Sequence, residues 1–147
     1  SGDIGCYTLG VYKPYELLHT CLSMGSSIGM AQGLAQVVND PVVAIIGDST
    51  FFHAGLSSLA NAVYNQSNIT ILVLDNFTTA MTGFQPNPGT GITATGQEGT
   101  QILIENVARG LHVKFVEVVN PFHYNVHILF LILYRHLFPH FLFFHNY

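Results

Sequence analysis

Three short apolar runs, the first two closing on polar groups, limit this chain more than any other feature. They are Pro41–Asp48 (Pro-Val-Val-Ala-Ile-Ile-Gly-Asp), Ile69–Asn76 (Ile-Thr-Ile-Leu-Val-Leu-Asp-Asn) and Val113–Val119. Continuous Val- and Ile-rich runs of this length are the mark of strands buried in a parallel sheet. Helical periodicity fills the gaps. Ser26–Val38 is rich in small residues and Met, and Thr100–Leu111 groups Ile102, Leu103, Val107 and Leu111. Thr50–Asn65 places Phe51, Leu56, Leu59, Ala60 and Val63 near one face, with Ser49 or Thr50 as cap. Between Thr82 and Gly99 lies a Gly/Pro/Thr-rich loop without periodicity, long enough to suspect function. Alternating strand and helix predicts an α/β fold, a parallel sheet flanked by helices. Such sheets bind ligands beyond the C-terminal strand ends, where Asp48 and Asn76 fall.

Composition removes several classes of function. Four Lys+Arg against eight Asp+Glu give a net charge of −4, leaving no basic patch for nucleic acid. With 49% hydrophobic residues the chain is not disordered. Cys6 and Cys21 are too few for a disulfide framework and lack metal-site spacing. The chain opens at Ser1 without Met or a basic-then-apolar leader, which reads as a fragment's N-terminus and a cytoplasmic protein.

The composition also breaks at residue 121. Residues 121–147 hold five of the eight His and nine of the eighteen Phe+Tyr, no Gly, and one formal charge, Arg135. Arg135, His136, Pro139 and His140 interrupt the apolar run 128–144, so no membrane span is expected. The five His follow no ligand spacing. The expected division is a folded domain over 1–120 and an aberrant aromatic and His-rich tail over 121–147, outside that fold.

Asp48 and Asn76 form the chemical centre. Two strands ending in oxygen-bearing side chains at one sheet edge can direct both onto one ion. Mg²⁺ takes few oxygens from protein and completes its shell with phosphate and water. Asp48 would supply charge and Asn76 a neutral oxygen, with a backbone carbonyl just downstream as a third ligand. Gly47 lets backbone approach closely, and the helix starting near Thr50 aims N–H groups at an anion.

Gly47-Asp48-Ser49, followed after 25 residues by Asp75-Asn76, resembles the thiamine diphosphate motif, normally Gly-Asp-Gly and then Asn-Asn. Asp3–Gly10, Met24–Gly29, Gly47–His53 and Asp75–Gly83 occur in the order found in one family. Together with Gln85–Gly91 they are similar to the C-terminal thiamine-binding domain of indolepyruvate:ferredoxin oxidoreductase α subunits, in the 2-oxoacid:ferredoxin oxidoreductase superfamily. The resemblance covers about residues 1–120. It implies Mg²⁺ ligation by Asp48, Asn76 and the Thr78 carbonyl, with Gly47 and Ser49 against the diphosphate. Met24-Gly25 matches the turn that props the cofactor in a bent shape, and Ile4-Gly5-Cys6 a segment beside it. Met81, Thr82 and Gln85 match a segment lining the substrate pocket. Ser49 stands where the motif has Gly and Asp75 where it has Asn. His53, in the first turn after the motif, is a candidate for orienting substrate or phosphate.

The implied activity is oxidative decarboxylation of aryl-2-oxo acids to acyl-coenzyme A, with ferredoxin as acceptor. The family activates its cofactor with a Glu on a separate pyrimidine-binding domain. None of Glu16, Glu98, Glu105 or Glu117 sits in a matching motif. Iron–sulfur clusters need about four Cys each, so they belong elsewhere in the full enzyme, as does a second subunit. This chain alone is therefore expected not to turn over. Two other readings stay open, a different thiamine-dependent 2-oxo acid decarboxylase and a non-catalytic assembly module. A nucleotide-binding module is disfavoured, because Gly25, Gly29 and Gly33 are spaced by four and there is no Gly-Lys-Thr phosphate loop.

Overall fold

β-Branched residues dominate the apolar runs, and in the computed structural model of the chain each run becomes a parallel strand. The structure describes residues 1–120 and, as backbone, the strand Phe141–His145. The strands are β1 (Val42–Gly47), β2 (Ile69–Asp75), β3 (Val116–Val119) and β4 (Phe141–His145). Their order in the sheet is β1-β2-β4-β3, every neighbouring pair parallel. β4 pairs Ile71–Asp75 on one side and Val116–Val119 on the other. Part of the segment expected outside the fold thus stands inside the sheet, and the rest of 121–147 lies outside the described residues. Ser1 continues the sheet beyond β1: its amino group donates to the Val43 carbonyl at 2.6 Å and its carbonyl accepts from Ile45 N–H at 2.8 Å.

Helices α1 (Ser26–Leu34), α2 (Asp48–Thr50), α3 (Leu56–Tyr64) and α4 (Ile104–Gly110) complete the fold. A π-helical turn, Phe51–Gly55, joins α2 to α3. Burial alternates along β1 and β2, with Ala44, Ile46, Ile69, Ile71 and Val73 in the core and Ile45, Leu72 and Leu74 only partly covered. The core gathers Ile28 and Ala31 of α1, Phe51, Leu59 and Ala62, and Ile104 and Ala108 of α4. One face of the sheet is closed and the other half-covered, where continuous runs suggested equal burial.

Three local expectations need correction. Gly47, rather than Ser49 or Thr50, is the N-cap of α2, and no side chain caps it. Ala60 is exposed and Ala62 buried, because position 60 lies about 100° around the helix from Leu59. α4 begins at Ile104, not Thr100: Gln101 Nε2 and Ile102 N–H are drawn onto the Gly89 and Pro88 carbonyls at 2.9 Å, leaving Ile102 and Leu103 exposed.

α1 is capped from a distance. Asp3, which is buried, accepts Gly25 N–H at 2.5 Å and Ser27 N–H at 2.9 Å. Gly25 adopts φ 88°, and a Cβ there would fall 2.4 Å from Ala54 Cβ, so conformation and packing both demand glycine. Asp3→Ala strands two buried donors and is expected to cost about 2 kcal/mol in urea denaturation. Asp3→Asn, which retains one acceptor oxygen, should cost less. Equal stability of all three chains would contradict this account of the cap.

Candidate functional site

Because β1 and β2 are adjacent and parallel, their C-terminal ends deliver Gly47-Asp48 and Asp75-Asn76 side by side. A cavity of about 240 Å³ opens there. Of the residues singled out from sequence, Cys6, Met24, Gly47, Asp48, Ser49, Asn76, Thr78, Met81 and Thr82 all line it. An apolar hollow of about 90 Å³ lies at the opposite end, between α3, the start of β2 and residues 112–114, without a comparable set of oxygen ligands.

Asp48 is 3% exposed. Burial, the largest cause, pushes its carboxyl up to about 6, and the neighbouring Asp75 carboxyl adds to the rise. Hydrogen bonds from Asn87 and the Ser49 backbone oppose it without cancelling it. No cationic side chain contributes among the described residues. Tyr7, a cavity residue that sequence reasoning left without a role, packs its ring over Gly47. Burial first, then the charges of Asp48, Cys6 and Asp75, pushes its phenol up to about 12, so it stays a neutral donor.

The segment after β2 is folded by its own side chains. Asp75 Oδ1 accepts Phe77 N–H at 2.9 Å and Asn76 Oδ1 accepts Thr78 N–H at 3.3 Å, while Phe77 takes φ 57°. An amide oxygen has two lone pairs, so Asn76 retains one for a ligand. Ser49 and Thr79 hydroxyls bond at 2.7 Å, tying the head of α2 to this segment. Thr79 N–H donates to the Gln85 carbonyl at 2.9 Å.

Three sequence candidates lie off the cavity wall. Gln85 bonds Thr82, with Thr82 Oγ1 to Gln85 Oε1 at 2.6 Å and Gln85 Nε2 to the Thr82 carbonyl at 2.8 Å, so it closes the turn. Gly25 serves the α1 cap described above. His53 is exposed, a correction to its expected position facing the site. It is two residues from buried Phe51 and two from buried Gly55, hence on the opposite side of the helix from both. Asn87 was missed: it is 7% exposed and donates to Asp48 Oδ2 at 2.8 Å. The only sequence signal for it was its place in the long Gly/Pro-rich loop.

The residues present fit a Mg²⁺–diphosphate group. A buried carboxylate without a cationic partner is costly unless a cation neutralises it. Gly47 has an ordinary extended backbone (φ −80°, ψ 159°), and a Cβ there would meet nothing closer than Tyr7 at 3.7 Å. Neither strain nor a protein clash requires glycine at this point of the cavity wall, whereas a group lying against the backbone would.

Asp48 and Asn76 at neighbouring strand ends, over a cavity that reaches the 4–7 segment and Met24, give a parallel α/β domain with a polar cleft beyond its strand ends. Residues 3–128 match the thiamine pyrophosphate enzyme C-terminal TPP binding domain, and the chain belongs to that family. It is 54% identical over 124 residues to the indolepyruvate oxidoreductase subunit IorA of Archaeoglobus fulgidus, covering 84% of this chain and 20% of the relative. The IorA subunit of Pyrococcus horikoshii is 53% identical over 134 residues, covering 82% of this chain and 20% of the relative. That of Methanothermobacter marburgensis is 51% identical over 119 residues, covering 81% and 19%. The chain thus spans about one fifth of the length of these curated relatives. Among solved structures, 2-oxoglutarate:ferredoxin oxidoreductase from Magnetococcus marinus, with 2-oxoglutarate, coenzyme A and succinyl-CoA bound, superposes with a TM-score of 0.76. That match covers 99% of this chain and 53% of the other at 14% identity, a likeness of fold alone.

Proposed function

We propose that this chain supplies the thiamine diphosphate- and Mg²⁺-binding part of an indolepyruvate-type 2-oxoacid:ferredoxin oxidoreductase. The observation that carries the reading is the single cavity joining Asp48, Asn76 and Thr78 to Gly47 and Met24. Asp48, Asn76 and the Thr78 carbonyl hold the cation, and Gly47 and Ser49 lie along the diphosphate. Met24, 46% exposed on the cavity wall, supports the cofactor's bend, and Cys6 lies beside it. Met81 and Thr82 border the substrate, fixed by the bonds of Gln85. When bound, the cofactor supplies an electron sink for cleavage of a bond beside a keto carbon.

The activating Glu, the iron–sulfur clusters and the sites for ferredoxin and coenzyme A belong to the rest of the enzyme. Leu9, Tyr12, Tyr15, Met81 and Phe84 are exposed apolar side chains. They favour cover by a pyrimidine-binding domain and a second subunit over life as an isolated surface. No helix among the described residues is long and apolar enough to cross a membrane.

Calorimetric titration of the full 147-residue chain tests the reading. Thiamine diphosphate should bind with Mg²⁺ and not with EDTA, and ATP or NAD should not bind. Nucleotide binding without thiamine diphosphate binding would overturn it.

A further inference from the structure

Asn87 lies thirty-nine residues from Asp48 in sequence, yet its side chain is wedged against that carboxylate. Its amide is oriented by two opposed demands. Oδ1 accepts Gly89 N–H at 2.8 Å, and Nδ2 donates to Asp48 Oδ2 at 2.8 Å. A flipped amide would set oxygen against carboxylate and N–H against N–H. The turn carrying it is fastened as well. Thr90 N–H and Oγ1 both donate to the Asn87 carbonyl, at 2.9 and 2.8 Å, and Gln101 Nε2 donates to the Gly89 carbonyl at 2.9 Å. A Cβ on Gly89 would lie 3.1 Å from Asn87 Oδ1 and 3.2 Å from the Phe52 ring. Asn87 therefore has little room to move, and one oxygen of Asp48 is committed to it.

We infer that Asn87 is a positioning residue that makes the Asp48 site selective for Mg²⁺ over Ca²⁺, by engaging one carboxylate oxygen and leaving the other as a single ligand. The inference rests on the cofactor reading above. Mg²⁺ demands near-octahedral geometry with ligands at about 2.0–2.1 Å, whereas Ca²⁺ accepts a carboxylate through both oxygens at about 2.3–2.6 Å. To become bidentate, Asp48 would have to abandon a buried, charge-assisted hydrogen bond. The restraint thus works against the larger ion and costs the smaller one nothing.

The test is calorimetric titration of thiamine diphosphate into the full chain at graded Mg²⁺ and, separately, graded Ca²⁺. Asn87→Leu removes both hydrogen bonds and keeps the branched shape, at the cost of added bulk. Asn87→Ser keeps a hydroxyl able to close the turn but too short to reach Asp48, which guards against a failure of Asn87→Leu to fold. In each variant the ratio of Ca²⁺ to Mg²⁺ concentrations at half-saturation should fall about tenfold, the scale of one charge-assisted hydrogen bond. A pin that only holds the loop would lower melting temperature and weaken both cations alike, and an unchanged ratio overturns the inference while the cofactor reading stands. Failure of the unsubstituted chain to bind with either cation overturns both.

Discussion

Asp48→Asn is expected to abolish Mg²⁺-dependent thiamine diphosphate binding and, in the same chain, to raise the stability of the metal-free fold. Both effects come from one buried carboxylate. Without a metal, burial and Asp75 hold the Asp48 pKa at about 6, against 3.8 for an unperturbed group. The folded state thus binds the proton more tightly than the unfolded one. Stability is greatest below the unfolded pKa and is lost as pH rises from about 4 to about 6. At pH 7 the ionised group therefore costs the fold on the order of 2–3 kcal/mol, screening by solvent included. Asn removes that cost and keeps an oxygen able to accept the Asn87 Nδ2 hydrogen bond. Urea denaturation in EDTA should therefore show Asp48→Asn more stable by about 2–3 kcal/mol at pH 7, with the gain fading towards pH 4. Titration of the same variant should show no cofactor binding at millimolar Mg²⁺, since the ligand that supplies charge is gone. A variant that binds as tightly as the parent would remove Asp48 from the metal site. One that is less stable at pH 7 would mean that Asp48 is satisfied by something other than a cation.

The legible parts of the fold were those written in consecutive residues. Val42–Gly47 and Ile69–Asp75 could be read as strands because β-branched runs say little else, and their ends placed Asp48 and Asn76 on one edge. Contacts made across long stretches of sequence were not legible. Asp3 caps a helix that begins at Ser26, and Asn87 reaches back to Asp48, with no periodicity to announce either. His53 looked useful because it follows the Gly-Asp motif closely, but angular position around a helix outweighs nearness in sequence. The start of α4 was misplaced for a related reason: the turn at Pro88–Thr90 competes for Gln101 and Ile102, residues that periodicity alone would put in a helix. Sheet order was hidden as well. Sequence gives the succession of β2 and β3, while their spatial separation depends on a strand from the far end of the chain.

That strand carries the second large effect. β2 and β3 each pair with β4, on its opposite sides. Removing residues 121–147 would leave the Ile71–Asp75 and Val116–Val119 edges facing each other across an empty strand position. Strands stand about 4.8 Å apart, so closing the gap requires β3, with α4 behind it, to shift by a full strand spacing. Unpaired apolar edges also recruit other chains. Truncation after Asn120 is therefore expected to cost on the order of 5 kcal/mol, at roughly 1 kcal/mol per lost ladder hydrogen bond, against about 5–15 kcal/mol for a whole domain. Size-exclusion chromatography should show association, and hydrogen exchange should show lost protection at Ile71–Asp75, whose far end adjoins the site. Phe143→Pro makes the same point within the full chain: proline cannot donate to a ladder and belongs at edges, not in a strand paired on both sides. If the 1–120 chain instead melts where the full chain does, with β2 amides equally protected, residues 121–147 lie outside the fold, as their composition suggested. The cofactor titration then separates fold from site. A truncated chain that keeps β1 and β2 paired retains Asp48 beside Asn76 and still binds, whereas one whose β2 has lost its inner neighbour cannot hold Asn76 and Thr78 in place.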